Sequence, residues 1–327
     1  MKCRLFAAVA AAIIGTTGDA AAEFVPAIVF DTGGKFDKSF NEAAYNGAER
    51  FKTETGIAYR EFEVAQVSQR EQAIRNIARR GATVVVAVGF SQAPAVGEVA
   101  REFPDTKFTL IDAAVDLPNV QSVIFKEHEG SFLVGMAAAL ASKTGKIGFI
   151  GGMDIPLIRK FFVGYTEGAK HVNPDIVVLM DMIGTTSAAW NNPTRGGELA
   201  NSQFDLGADV IYAAAGGTGI GVYQAANDRG KLAIGVDSNQ NYMHPGTMLT
   251  SMIKRVDVAV HDAFMSAKDG TWKPGVVVLG LKEDGVGFAF DEHNRNLISP
   301  VMEAKIEQAR KNIITGKIQV TDYTAEN

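Results

Sequence analysis

Short apolar runs and amphipathic stretches alternate along the chain almost without a break. Residues 27–30, 57–64, 83–88, 108–111 and 120–125 read as buried strands. Helical spacing fills the intervals near 40–54, 69–79 and 92–102, and again at 129–142, where alanines and other small residues suit close packing. Within 69–79, Ala73, Ile74, Ile77 and Ala78 share one face, while Arg70, Glu71, Arg75 and Arg79 are expected to stay in water. Residues 146–150 open a second series of the same kind. Its further strands are 176–182, 209–213 and 232–236, with helices near 156–172, 194–206 and 218–229. Beyond residue 248 the order becomes mixed: strand 248–252, helix 255–268, strands 275–280 and 286–290, and a last helix at 299–316. Such alternation predicts an α/β fold with two mostly parallel sheets laid down in succession. The tail is too short for a third domain, so it is expected to cross back between the two sheets as a hinge. The expected division is one lobe from 23–127 plus about 253–275, and a second from 128–252 plus about 276–327.

Composition changes this picture at the N-terminus. Lys2 and Arg4 precede an apolar run at 5–15, and Ala20, Ala21 and Ala22 supply small residues before Glu23. Residues 1–22 therefore read as a cleavable secretory leader, too short to span as an ordinary transmembrane helix. The only cysteine, Cys3, falls inside it, so the processed chain would hold neither thiol nor disulfide. Removing Lys2, Arg4 and Asp19 takes a net +1 from a chain whose formal charge is −5. That acidity disfavours nucleic acid and anionic membranes as partners. The expectation is a monomer in a bacterial periplasm. The roughly 300 residues that remain are enough for two lobes with proper cores.

Candidate chemistry lies at the strand ends. Asp31 follows the first strand and Gly89-Phe90-Ser91-Gln92 the third. In the second series the strand ends carry Gly151-Gly152-Met153-Asp154, then Gly184 leading to Trp190, then Ala215-Gly216-Gly217, then Asp237-Ser238-Asn239. Parallel strands in one lobe point the same way, and ligands of open α/β sheets bind beyond their carboxyl ends. Two such edges facing each other would line one cleft. Glycines let backbone N–H groups approach a ligand, while acids, amides and rings supply directional and stacking contacts. Each residue also has a plainer use. Phe40 could be a hydrophobic staple at a helix start, Asp31 a cap, Trp190 a rim residue, and Lys254 half of a hinge salt bridge. Gly217, Gly219 and Gly221 lack the spacing of a dinucleotide fingerprint. The five histidines are scattered, and no nucleophile–base pair stands out, so neither catalysis nor a cofactor or metal is expected.

The stretch Asp31-Thr-Gly-Gly-Lys-Phe-Asp-Lys-Ser-Phe-Asn41-Glu resembles the signature of the basic membrane protein family of ABC-transporter solute-binding proteins, which includes purine-nucleoside receptors. Residues 151–170, 214–222 and 250–257 are similar to that family as well. The resemblance implies a type I periplasmic binding protein fold with a three-crossover hinge, and a purine nucleoside or nucleobase passed to an inner-membrane permease and ATPase. It further implies that Asp31 hydrogen-bonds the purine, Phe40 stacks on it and Asn41 sits beside it. Asp237 would accept from ribose hydroxyls, Lys254 would donate to the sugar or brace Asp237, and Gly216 and Gly217 would offer backbone contacts. Phe90 and Ser91 complete the candidate set. Trp190 is expected as the opposite jaw, with Tyr212 or Phe162 as alternatives. Many family members carry a lipid-modified cysteine where this chain has Glu23, so it is expected to diffuse freely. Competing readings are another small ligand, such as a sugar, a riboflavin-like ring or an autoinducer, and an exported nucleoside-processing enzyme.

Overall fold

The structure, a computed structural model, describes residues 23–324; the expected leader lies outside the described residues. In chain order the first half holds β1 (Pro26–Phe30), α1 (Phe40–Thr55), β2 (Arg60–Glu63), α2 (Arg70–Arg79), β3 (Val84–Ala87), α3 (Ala93–Glu102), β4 (Lys107–Ile111), β5 (Val120–Phe125) and α4 (Glu127–Ala141). There follow β6 (Lys146–Met153), α5 (Pro156–Val172), β7 (Val177–Gly184), α6 (Pro193–Asp205), β8 (Val210–Ala214), α7 (Gly219–Asp228), β9 (Leu232–Asp237) and β10 (Met248–Lys254). The last elements are α8 (Val256–Lys268), β11 (Gly275–Leu279), β12 (Val286–Phe288) and α9 (Pro300–Ile314).

The strands form two six-stranded sheets, β11-β5-β4-β3-β1-β2 and β12-β10-β9-β8-β6-β7. Every pairing is parallel except that of β12 with β10. β1, β3 and β8 are buried along their whole length, as the unbroken apolar runs require of strands covered on both faces. β2 is an exposed edge, and its Arg-Glu-Phe-Glu sequence keeps it soluble there. In the second lobe α4 lies directly against α5. A Cβ added at Gly168 would come within 1.9 Å of the Phe132 carbonyl oxygen, so only glycine permits that approach. Phe149, Tyr165 and Tyr212 pack together in the core beneath them.

The chain passes between the sheets three times, after β5, after β10 and between β11 and β12. One expected boundary needs correction. The sequence division puts residues from about 276 onward in the second lobe, but β11 pairs with β5 from Gly275 to Leu279 and belongs to the first sheet. The third crossing therefore lies at 280–285. A run of valines fits either sheet, and only the pairing partner decides. Arg70 is a second correction. It is buried rather than wet, because it opens α2 at the end nearest the β1 strand end.

A candidate ligand cleft between the lobes

The carboxyl ends of the two sheets enclose a cleft of about 620 Å³, counting its open mouth. Asp31, Thr32, Asp37, Phe40, Asn41, Gly89, Phe90 and Asp112 line it from the first lobe.

β1 ends at Phe30, so Asp31 is the first residue free of the ladder. Its Oδ1 accepts from Arg70 through Nε at 2.9 Å and Nη2 at 2.8 Å, and from the Thr32 N–H at 2.8 Å. Its Oδ2 accepts from the Ser91 hydroxyl. Three donors saturate Oδ1, which leaves Oδ2 as the oxygen with room for a ligand. Asp37 closes the N-terminus of α1. Its carboxylate accepts from the N–H groups of Ser39 at 2.8 Å, Asn41 at 3.1 Å and Glu42 at 3.1 Å, which the helix itself cannot satisfy. Burial pushes the Asp37 carboxyl up to about 7 even against those hydrogen bonds. Asn41 is buried; its Nδ2 donates to the Asp31 carbonyl at 3.4 Å, and its Oδ1 has no partner among the described residues. Asp112 follows β4 with φ 72°, a left-handed conformation that aspartate tolerates better than most residues. Its Oδ1 is buried and unpartnered.

The second lobe brings Leu157, Ile158 and Phe161 from the start of α5, together with Trp190, Ala214, Gly216, Val236, Asp237 and Lys254. Trp190 lies on a 3₁₀ turn after β7. Its ring rests on Gly152, where an added Cβ would come within 2.1 Å of Cζ3. Asp237 is buried, with φ 65°, and burial raises its carboxyl above the usual range despite the nearby Lys254. Lys254 ends β10 at the hinge. Its ammonium bonds Asp112 at 2.7 Å and Glu127 at 3.0 Å, and stands 5.2 Å from the centre of the Phe40 ring. Lys160 adds a second cation at 2.9 Å from Glu127. Burial opposes ionisation of Glu127, but the two lysines hold its carboxyl below the ordinary value. Burial likewise raises Asp112, and the surrounding acids keep Lys254 protonated well above its usual range although burial alone would lower it. Among the described residues, no group of three His, Cys, Asp or Glu side chains could hold a metal ion, and no helix is long and apolar enough to cross a membrane.

The family model for PnrA-like ABC transporter substrate-binding proteins, Bmp, matches residues 24–324. The chain belongs to the Bmp family. The nucleoside-binding protein BmpA of an ABC transporter of Lactococcus lactis is 34% identical over 329 residues, covering 94% of this chain and 91% of that one. A lipoprotein of Pyrococcus horikoshii is 38% identical over 274 residues, covering 80% and 68%. Among solved structures, a solute-binding protein of an ABC transporter system from Aeropyrum pernix superposes with a TM-score of 0.84 at 30% identity, covering 93% and 96%. The two sheets are thus the lobes of a type I periplasmic binding protein fold.

Against this Bmp frame the sequence-derived residues divide into three groups. Asp31, Phe40, Asn41, Phe90, Trp190, Gly216, Asp237 and Lys254 all line the cleft. Ser91 stands behind Asp31 as its hydroxyl donor, and Gly217 packs behind Gly216 against Trp190 and Asp37. Lys254 is bonded to Asp112 and Glu127 rather than to Asp237. Tyr212 is fully buried in the core, and Phe162 turns toward Phe149, so the neighbouring Phe161 is the α5 ring that reaches the cleft. Sequence reasoning missed Asp37, Arg70, Asp112 and Phe161. Asp112 carried a readable signal, since it is the first residue after a central strand. Taken together, the walls offer aromatic faces and acceptors: Asn41 Oδ1 and Asp112 Oδ1 are unpartnered among the described residues, and Asp31 Oδ2 accepts only from Ser91. That suits a flat, uncharged solute rich in N–H and O–H donors.

Proposed function

We propose that this substrate-binding protein captures a purine nucleoside or nucleobase in the interlobe cleft and delivers it to an ABC permease. One observation carries the reading: aromatic walls from both lobes, Phe40 and Trp190, enclose a cleft whose free polar atoms are acceptors, Asn41 Oδ1 and Asp112 Oδ1 among them. A purine ring takes the stacking, and its N–H groups with the ribose hydroxyls supply donors for Asp31, Asp112 and Asp237. Stacking contributes roughly 1–3 kcal/mol per base, and each buried hydrogen bond to a charged group about 1.5–3 kcal/mol. Those sums reach micromolar or tighter affinity after the cost of ordering. The nucleoside-binding relative supports the same ligand class.

Titration calorimetry on refolded, ligand-stripped protein checks the reading, with adenosine, guanosine, inosine, adenine, a sugar panel and riboflavin as injectants. Heat and saturation with at least one purine are expected. Binding only to a sugar or to riboflavin would replace the ligand and keep the transport role, and release of free base from inosine would replace that role with an enzyme. We further place the chain free in the periplasm, with Glu23 at the position that carries the lipid in many members; fractionation into the soluble pool is the expected outcome.

A further inference from the structure

Ser39 belongs to the first lobe, yet its side chain is bonded entirely to the second. Its Oγ donates to Asp237 Oδ2 at 2.6 Å and lies 3.2 Å from the Val236 carbonyl oxygen. Two more hydrogen bonds join the same loops. The Ser238 hydroxyl donates to the Ser39 carbonyl at 3.0 Å, and Gln240 Nε2 donates to the Lys38 carbonyl at 2.9 Å. Ser39 and Gln240 are completely buried.

Both sides of this contact are prepared in advance. In the second lobe the Gln240 side-chain oxygen accepts from the Val236 N–H at 2.7 Å and from the Tyr223 hydroxyl at 2.9 Å, so its amide nitrogen is aimed at the opposite lobe. In the first lobe Asp37 holds the Ser39 N–H, and Lys38 has φ 63°. Asp237, facing it, has φ 65°. Two non-glycine residues in the left-handed region, one on each side of a single contact, are conformations that the surrounding structure must over-determine.

We propose that Ser39 is a positioning residue for the ligand site, acting through Asp237: closure of the lobes delivers its hydroxyl to Asp237 Oδ2 and turns Oδ1 to the ligand. Asp237 then has its binding orientation only in the closed form, which the Ser39 bond favours with or without ligand and ligand contact favours further. The Ser39 hydroxyl also takes one acceptor position on Asp237, which limits how many donors a ligand can present there. This inference rests on the reading of the cleft as the ligand site.

The test joins kinetics to a distance measurement. In stopped-flow binding of adenosine, guanosine and inosine, Ser39→Ala should raise the dissociation rate about tenfold, the scale of one hydrogen bond to a charged group, and leave the association rate within about twofold. Ser238→Ala, which removes the companion bond, should move the dissociation rate the same way by less. Ser39→Ala combined with Asp237→Asn should bind no more weakly than Asp237→Asn alone. Nitroxides on Lys52→Cys and Asp228→Cys, one on each lobe, should report a longer separation in Ser39→Ala with or without nucleoside. An unchanged dissociation rate, additive losses with Asp237→Asn, or unchanged separations would overturn the proposal. If the unsubstituted protein binds no purine nucleoside, the ligand reading fails by itself, and the nitroxide separations decide whether Ser39 latches the lobes.

Discussion

Position by position, the two sheets share one strand order, so β1 corresponds to β6 and β4 to β9. Asp31 and Asp154 are therefore counterparts, each the first residue beyond its strand, and each is paired with an arginine. Asp31 meets Arg70 in the buried wall of the cleft, at side-chain exposures of 11% for both. Asp154 meets Arg159 at 2.7 Å on the surface, at 37% and 35%. The strands explain the difference. β1 has 5 residues and stops under the cleft, whereas β6 has 8 and carries its aspartate past the rim. Asp112 and Asp237 are counterparts too, and both adopt positive φ. Each is completed from the opposite lobe, Asp112 by Lys254 and Asp237 by Ser39. Asp31, by contrast, is neutralised within its own lobe. On the proposed reading, Asp31 and Phe40 would be in place within the first lobe alone, whereas Asp112 and Asp237 are each completed by a residue of the other lobe.

The largest test of that contrast removes the two arginines in turn. Arg70→Met leaves Asp31 buried without its cation, a loss on the scale of about 3–5 kcal/mol. Arg159→Met breaks an exposed pair, for which about 1 kcal/mol or less is expected. Urea denaturation of both variants should separate them clearly. Equal losses would mean that the buried pair is no more than a surface one.

Asp37 gives the next effect, through pH. Its carboxyl, raised to about 7 by burial, binds its proton more tightly folded than unfolded. This group's contribution to stability is therefore full below about pH 4 and is lost as the pH rises through about 7. A displacement of that size corresponds to about 4 kcal/mol. Asp37→Asn removes the dependence and keeps an acceptor for the start of α1. Relative to the unsubstituted chain, the variant should gain by a few kcal/mol between pH 5 and pH 8 in paired denaturation curves. A difference that is flat with pH would place the Asp37 carboxyl near its ordinary value.

Phe40→Ala tests the self-sufficiency of the first-lobe surface. Loss of one stacking face should weaken purine binding by about one to two orders of magnitude. Phe40 is half-buried, so the fold should survive, and thermal melting in the absence of ligand should change little. Near-unchanged affinity would return Phe40 to a packing role at the start of α1.

Periodicity made the elements legible because burial on two faces leaves long apolar runs, and β8, β9 and α5 fall within a residue or two of the pattern. Side-chain reach was not legible in the same way. The helical face of α2 puts Arg70 with the wet residues, but its place at the first turn lets the guanidinium lie back on the β1 strand end. Sheet membership of β11 depends on a partner more than 100 residues away, as its pairing of Gly275 with Gln121 shows. The strand-end rule found Asp31 and Asp237 and would have found Asp112 had it been applied to β4. It also raised Asp154, which strand length alone removes from the cleft.

The smallest predicted effect concerns what the extra length of β6 does. Residues 151–153 continue the ladder against β7, and Gly152 becomes the floor on which the Trp190 ring lies. The first lobe has no equivalent platform, because β1 ends before such a position. A methyl group at Gly152 cannot share that space with the indole, so Gly152→Ala must lift the ring without altering any polar group in the cleft. The backbone there is an ordinary strand, and alanine adopts it without strain. Purine affinity should fall by up to about tenfold, less than for Phe40→Ala, since the stacking face is displaced rather than deleted. Measured in a Trp272→Phe background, which leaves Trp190 as the single indole, the emission maximum should shift toward that of a more exposed ring and its response to nucleoside should shrink. Unaltered affinity alongside a shifted spectrum would show that the indole caps the mouth of the cleft, and would leave the stacking to Phe40 and Phe161.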